Sequence, residues 1–325
     1  MSFAKDELDE YCKKIILEPS IRNRIVILCE GKISGLKNGS GIKEFSEKEQ
    51  DASFYYNTIP KWWKMETQGQ NEPVFCICGN RDNVLYAYDI IKKKHDEAPE
   101  KSYLNPEKLF ALVDIDFEKK KLPNGAYKNL DDVYNDLYSD GTIDTSKNNT
   151  IKAIENKILT TGFLHKESYF FIPELSSFFE REGIELQGKY LYILNDIPNA
   201  GDFSIDKAKK RISHHTLSVK LHDKDKEKSI QEFINAWKSD FQDEAKEAVE
   251  KNKLAHILLT IAKSKNTWEN IKHPKKPEIS KTYRDDLSIE FARNFYAKEP
   301  IDSLRHIPSL FRALAYFLKN QNKKP

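Results

Sequence analysis

The sequence predicts an α/β fold, a parallel sheet flanked by helices, followed by a mainly α-helical C-terminal extension. Two observations predict the sheet. Arg24-Ile25-Val26-Ile27-Leu28-Cys29 and Leu109-Phe110-Ala111-Leu112-Val113 are apolar runs, too short to bury themselves as helices. Such runs mark central parallel strands covered on both faces. Each ends in acid, at Glu30 and at Asp114-Ile115-Asp116. A third observation predicts the extension: beyond Asn199-Ala200-Gly201-Asp202 the apolar residues recur at helical spacing.

Taken in order, Asp6 to Leu17 reads as a short amphipathic helix that ends near Pro19 and leads into the first strand. Val74-Phe75-Cys76-Ile77-Cys78-Gly79 is a second strand closed by glycine, and Asn80 to Lys94 follows as a helix with Val84, Leu85, Tyr88 and Ile91 on one face. After the strand at 109–113 a lysine-rich connection leads to helices over Leu130 to Tyr138 and Thr150 to Thr160, the latter with Ile151, Ile154 and Ile158 at helical spacing. Ser168 to Ile172 reads as the next strand, ending at Pro173-Glu174-Leu175, and Lys189 to Leu194 as a further one. In the extension, Glu227 to Phe241 carries a stripe of Ile230, Phe233, Ile234, Trp237 and Phe241. Ala245 to Val249, Leu254 to Ala262, Leu287 to Tyr296 and Ser309 to Lys319 continue the pattern, broken by the proline-punctuated linker His273 to Pro277. The expected division is therefore a sheet domain over 1–200, with a loop inserted at about 33–50, and a helical domain over 201–325.

The chain has 53 basic and 51 acidic residues in 325, a net charge of +2, so global charge does not announce a nucleic-acid binder. Local charge is more informative. Lys92-Lys93-Lys94, Lys119-Lys120-Lys121, Lys207 with Lys209-Lys210-Arg211, and Lys272 with Lys275-Lys276 are basic clusters. A lysine run is ordinarily a solvated face, and only the run just past Asp116 stands out by position. The cysteines at 12, 29, 76 and 78 read as small buried apolar residues in a reducing compartment. Met1 to Glu10 lacks an apolar signal core and no run reaches membrane-spanning length, so a cytoplasmic protein without a membrane partner is expected. There is no Gly-x-x-x-x-Gly-Lys-Ser/Thr loop, so an ATP-driven step would need a second chain. A nucleophile elbow is missing as well, and His214-His215 has no second cluster at ligand spacing.

In open α/β sheets, ligand sites form at the carboxyl ends of the strands. Glu30, Asp114 and Asp116 would converge there, and strand alternation would set the two aspartates on the same side. Three carboxylates so close cannot all stay ionised unless a cation holds them. A hard divalent ion, Mg2+ or Mn2+, is the natural partner.

Strand, Glu-Gly, helix, strand, Gly, helix, strand, Asp-x-Asp is an order that resembles the Toprim domain of topoisomerases, primases and OLD-type nucleases. The resemblance implies that Glu30, Asp114 and Asp116 hold divalent metal for phosphodiester cleavage. It offers Glu174 as a candidate for a second ion, although Pro173-Glu174-Leu175-Ser176-Ser177 also reads as a helix start with its carboxylate near the positive end of the dipole. Lys32, Lys119 and Lys120 are candidate phosphate contacts. One departure matters: nuclease-type members read Glu-Gly-Lys-x-Asp, whereas here Glu30-Gly31-Lys32 is followed by about eighteen Gly-, Ser- and Lys-rich residues before Asp51-Ala52-Ser53-Phe54-Tyr55-Tyr56. Asp51 is either the displaced family aspartate or an N-cap.

Topoisomerase activity needs DNA-gating domains and a positioned tyrosine, and primase activity needs zinc-binding and polymerase elements; neither set is evident. The chain most resembles the stand-alone Toprim nucleases of anti-phage defence, which work beside an OLD- or ABC-type partner ATPase. The resemblance implies a DNA or RNA substrate, tRNA included, and allows a homodimer. The alternatives are a non-catalytic interaction module and a metal-dependent phosphohydrolase of small nucleotides. The last helix, with Leu310, Phe311, Leu314, Phe317 and Leu318, is core by default and the candidate partner face otherwise.

Overall fold

The computed structural model describes residues 5–31, 50–66, 72–117, 121–122, 126–138, 143–212, 226–298 and 306–321. The chain forms two compact units. The first comprises Met1–Asp114, Lys120–Thr161 and Ile289–Pro325, and the second Ile115–Lys119 and Gly162–Ser288. Where the sequence suggests one break near residue 200, the chain passes out of the sheet unit at Asp114 and again at Thr161, and returns to it at Ile289.

The first unit opens with α1 (Lys5–Ile16), which buries Leu8, Tyr11, Cys12, Ile15 and Ile16 along one stripe. Then come β1 (Val26–Cys29), α2 (Gln50–Asn57), α3 (Lys61–Glu66), β2 (Val74–Ile77), α4 (Arg81–Glu97), β3 (Leu109–Val113), α5 (Leu130–Leu137), α6 (Asn148–Glu155) and β4 (Ile158–Thr160). The four strands form one sheet in the order β2-β1-β3-β4, every pair parallel. Val26 lies opposite both Val74 and Leu109, and every residue of β1, β2 and β3 is buried. This is the continuous apolar run expected of strands covered on both faces. Glycine closes β2 as expected: Gly79 has φ +99 and hands the chain to α4, which Asn80 caps by accepting from the Asn83 amide at 3.0 Å.

One predicted helix is cut short. Thr150 to Thr160 does not continue as a helix: α6 stops at Glu155, Lys157 takes φ +66, and the stretch Ile158–Thr160, β-branched at both ends, becomes β4, paired with Ala111–Val113. Ile158, counted on the helical stripe, is a strand residue.

The second unit is helical, and two predicted strands are overturned in it. Lys166–Phe171 is a 3-10 helix whose Ser168, Tyr169, Phe170 and Phe171 are buried. Their rings are taken up by aromatic neighbours, Phe170 against Trp268 at 4.5 Å and Tyr169 against Phe163 at 4.8 Å. The aromatic richness that suggested a strand serves side-chain packing here, as β propensity largely does. Pro173–Leu175 is a second 3-10 turn, followed by α7 (Ser176–Arg181) and α8 (Leu186–Asn195). The predicted strand Lys189 to Leu194 lies inside α8. Its buried residues are Leu186, Tyr190, Ile193 and Leu194, a helical spacing, and Tyr192, which a strand would place beside Tyr190, is 68% exposed.

The helices α9 (Ile205–Ile212), α10 (Lys226–Gln242), α11 (Ala248–Ile261) and α12 (Lys265–Glu269) follow. On α10 the predicted stripe is buried, and Trp237 donates through Nε1 to the Leu254 carbonyl of α11 at 2.9 Å. Helix α13 (Ser280–Phe291) runs into a π-helical turn, Ala292–Tyr296, and the chain ends in α14 (His306–Gln321) in the first unit. Leu310, Phe311, Leu314 and Phe317 are buried there, with Phe311 5.7 Å from Phe75 and 6.4 Å from Trp63. The candidate partner face is thus core of the sheet unit. No helix among the described residues is long and apolar enough to cross a membrane.

Candidate metal centre

The parallel arrangement of β1 and β3 sets the residues that follow them at one edge of the sheet. Glu30 comes directly after β1 and Asp114 directly after β3, and Glu30 Oε1 accepts a hydrogen bond from the Asp114 amide at 2.9 Å. The edge is pinned further by the Gly31 amide donating to the Gly79 carbonyl and by the Thr161 amide donating to the Val113 carbonyl, both 2.9 Å. The Glu30 carboxylate thus reaches the backbone of Asp114.

Gly31 lies against another acid, Asp51. A Cβ at this position would stand 2.7 Å from Asp51 Cβ and nearer still to its carboxylate, so only glycine lets that side chain lie against the backbone. Asp51 is buried in the first turn of α2, inside the helix rather than at its cap. That helix is firmly placed. Tyr55 stacks on Phe75 with centroids 5.7 Å apart, Asn57 Nδ2 donates to the Ser53 carbonyl at 2.7 Å, and Arg293 Nε donates to Asn57 Oδ1 at 2.8 Å. The π-helical turn adds Tyr296, edge-on to Phe54 at 6.1 Å.

The remaining predicted residues are placed differently. Asp116 belongs to the second unit, where its carbonyl accepts from Arg211 Nη2 at 2.8 Å. The guanidinium also lies 4.5 Å over the Phe117 ring. Partial desolvation pushes His165 of the same unit below the usual histidine range, against the opposing pull of Glu167 and Asp116. Glu174 sits on the 3-10 turn, with Oε1 3.1 Å from Nε2 of the buried His256, which stacks on Phe163. No strand end presents it, because the predicted strand is not there. Lys32, Lys119, Lys120 and the pair His214-His215 lie outside the described residues.

The donors Glu30, Asp51 and Asp114 are all carboxylates, the chemistry of a hard cation. Among the described residues, no three His, Cys, Asp or Glu side chains are gathered as a finished metal cluster. Sequence reasoning did not single out Arg293 or His256, and counted Arg211 only within a lysine cluster. All four cysteines are buried thiols, and burial pushes Cys12 and Cys76 up to about 12. They are inert packing, as expected.

Comparison of the chain with protein-family models, with curated proteins and with solved structures finds no match.

Proposed function

We propose that this protein is a divalent-metal-dependent nuclease with a Toprim-like catalytic unit, cleaving phosphodiester bonds in DNA or RNA. The observation that carries the reading is the pairing of Glu30 with the end of β3 at 2.9 Å, beside a glycine that makes room for Asp51. Glu30, Asp51 and Asp114 would hold Mg2+ or Mn2+.

A bound ion would activate water for attack and offset charge on the scissile phosphate. The chain's own part is to hold its acids ready. The Asp114 amide fixes one oxygen of Glu30, and Gly31 leaves the second acid close to the backbone. The 119–120 lysines and Lys32 would neutralise the phosphate backbone, which makes binding salt-dependent. By resemblance, the chain acts in the cytoplasm as the effector of an anti-phage system under a partner ATPase. The test is incubation with DNA, tRNA and total RNA in Mg2+, Mn2+ or EDTA. Cleavage that EDTA abolishes supports the reading, and no cleavage of any substrate, alone or with the partner ATPase, counts against it.

A further inference from the structure

We propose that the loop carrying Lys272, Lys275 and Lys276, in the second unit, is a binding surface for the phosphate backbone of nucleic acid, the choice of nucleic acid as the polyanion resting on the nuclease reading. Over 272–281 the chain carries four lysines, Lys272, Lys275, Lys276 and Lys281, against one carboxylate, Glu278, and all five side chains are exposed. Among the described residues none of these lysines meets a carboxylate. The run Lys92-Lys93-Lys94 on α4 differs. There Lys92 lies over the Tyr88 ring at 5.4 Å and Lys93 pairs with Glu97 at 3.8 Å, so the charges are engaged within their own helix.

What separates the 272–276 run from a solvated face is the frame behind it. His273 Nδ1 accepts from the amides of both Lys275 and Lys276 at 3.1 Å. The His273 amide donates to Ser280 Oγ at 3.1 Å, and that hydroxyl donates to the Pro277 carbonyl at 2.6 Å. Pro274 and Pro277 fix two backbone angles of the run. The imidazole packs edge-on to Tyr283 with centroids 5.0 Å apart, the Tyr283 hydroxyl donates to Glu182 Oε2 at 2.9 Å, and Arg284 Nη1 donates to the Ile271 carbonyl at 2.8 Å. The loop is thus tied to α13 and to the residue after α7. An unbraced chain would spread its lysines to relieve their repulsion, whereas this bracing keeps like charges together at a cost in self-repulsion. A polyanion reverses that cost, because each phosphate neutralised releases counterions. The backbone that presents the lysines is already ordered, so little entropy is lost on binding.

The experiment measures binding of the full chain to fluorescein-labelled duplex DNA and single-stranded RNA by anisotropy over a range of NaCl, in EDTA so that no cleavage intervenes. It compares the wild type with the triple variant Lys272→Gln, Lys275→Gln, Lys276→Gln, and with Lys92→Gln, Lys93→Gln, Lys94→Gln as a control that removes the same charge. The first triple variant should bind at least ~10-fold more weakly and lose about 2–3 from the slope of log K against log salt, roughly one per lysine. The control should keep the wild-type values. His273→Ala retains the lysines but releases their backbone, so it should bind more weakly at an unaltered slope. Equal losses in the two triple variants would make the effect one of net charge and overturn the proposal. Binding to phosphatidylglycerol vesicles with none to either nucleic acid would assign the loop to a membrane surface and overturn it as well. A wild type that cleaves nucleic acid but binds it independently of these lysines overturns this inference alone, whereas one that neither binds nor cleaves overturns it together with the nuclease reading.

Discussion

Gly31 sits where two demands meet: the chain must turn out of β1, and the Asp51 carboxylate must pass beside it. Gly31→Ala places a methyl group 2.7 Å from Asp51 Cβ, so α2 must shift or the acid must swing away. The expected cost is about 1–3 kcal/mol, in the range of overpacking, with weaker metal binding at the same time. Denaturant titration with and without Mn2+ checks both. A variant as stable and as metal-responsive as the wild type would show that Asp51 is not held there. Glu30 and Asp114 were legible in the sequence, because an acid directly after a buried strand has one place to be. Asp51 was half legible: the gap of inserted residues hid whether it capped a helix or faced the glutamate. The bond from Arg211 to the Asp116 carbonyl was not legible, since a contact 95 residues away leaves no local pattern.

The buried thiols give the residue scale a pH dependence. Cys12 and Cys76 move from 9.0 to about 12 on folding, first by burial. Above pH 9 the unfolded chain therefore gives up protons that the native chain retains. Stability is fully present below pH 9 and declines as pH rises towards 12, by on the order of 1 kcal/mol per pH unit for each thiol. Melts between pH 8 and 11 read this slope, and Cys76→Ala should flatten it. A flat profile in the wild type would mean that the thiols ionise as freely when folded.

At the scale of elements, the first three strands and the helices of the sheet unit followed from run length and spacing. The two false strands failed for a shared reason. In Ser168–Ile172 and Lys189–Leu194 the residue types favour a strand, but their neighbours are helices, and packing rather than propensity decides. In the second, the spacing of Leu186, Tyr190, Ile193 and Leu194 already carried the helical period, visible once the window is widened by a turn. Helix α14 shows the same dependence on context. Phe311 is wholly buried against Phe75 and Trp63. Phe311→Asp buries an unpaired charge in that cluster and should cost at least the ~3–5 kcal/mol of a Phe→Ala truncation. Circular dichroism melts alongside light scattering check it: a cooperative loss of structure is expected, whereas a folded variant of altered assembly would return this face to the role of an interface.

For the whole molecule, the sequence separated a sheet portion from a helical portion, but not the route between them. The chain leaves the sheet unit at Asp114, comes back for α5, α6 and β4, and returns a last time for the π-helical turn and α14. Such returns depend on contacts far apart in sequence, as Arg293 with Asn57 illustrates at a separation of 236 residues. The same architecture brings Glu30, Asp51 and Asp114 to one edge, and the account stands on what that edge does. The most direct test is a cleavage assay of the wild type beside Glu30→Gln, on DNA and RNA, with Mg2+ and with EDTA. Glutamine keeps an acceptor for the Asp114 amide while removing the charge, so the variant should melt close to the wild type. The wild type should cleave in Mg2+ and not in EDTA, and Glu30→Gln should lose at least ~100-fold, as expected when a metal ligand's charge is removed. Undiminished cleavage by a folded Glu30→Gln would contradict it.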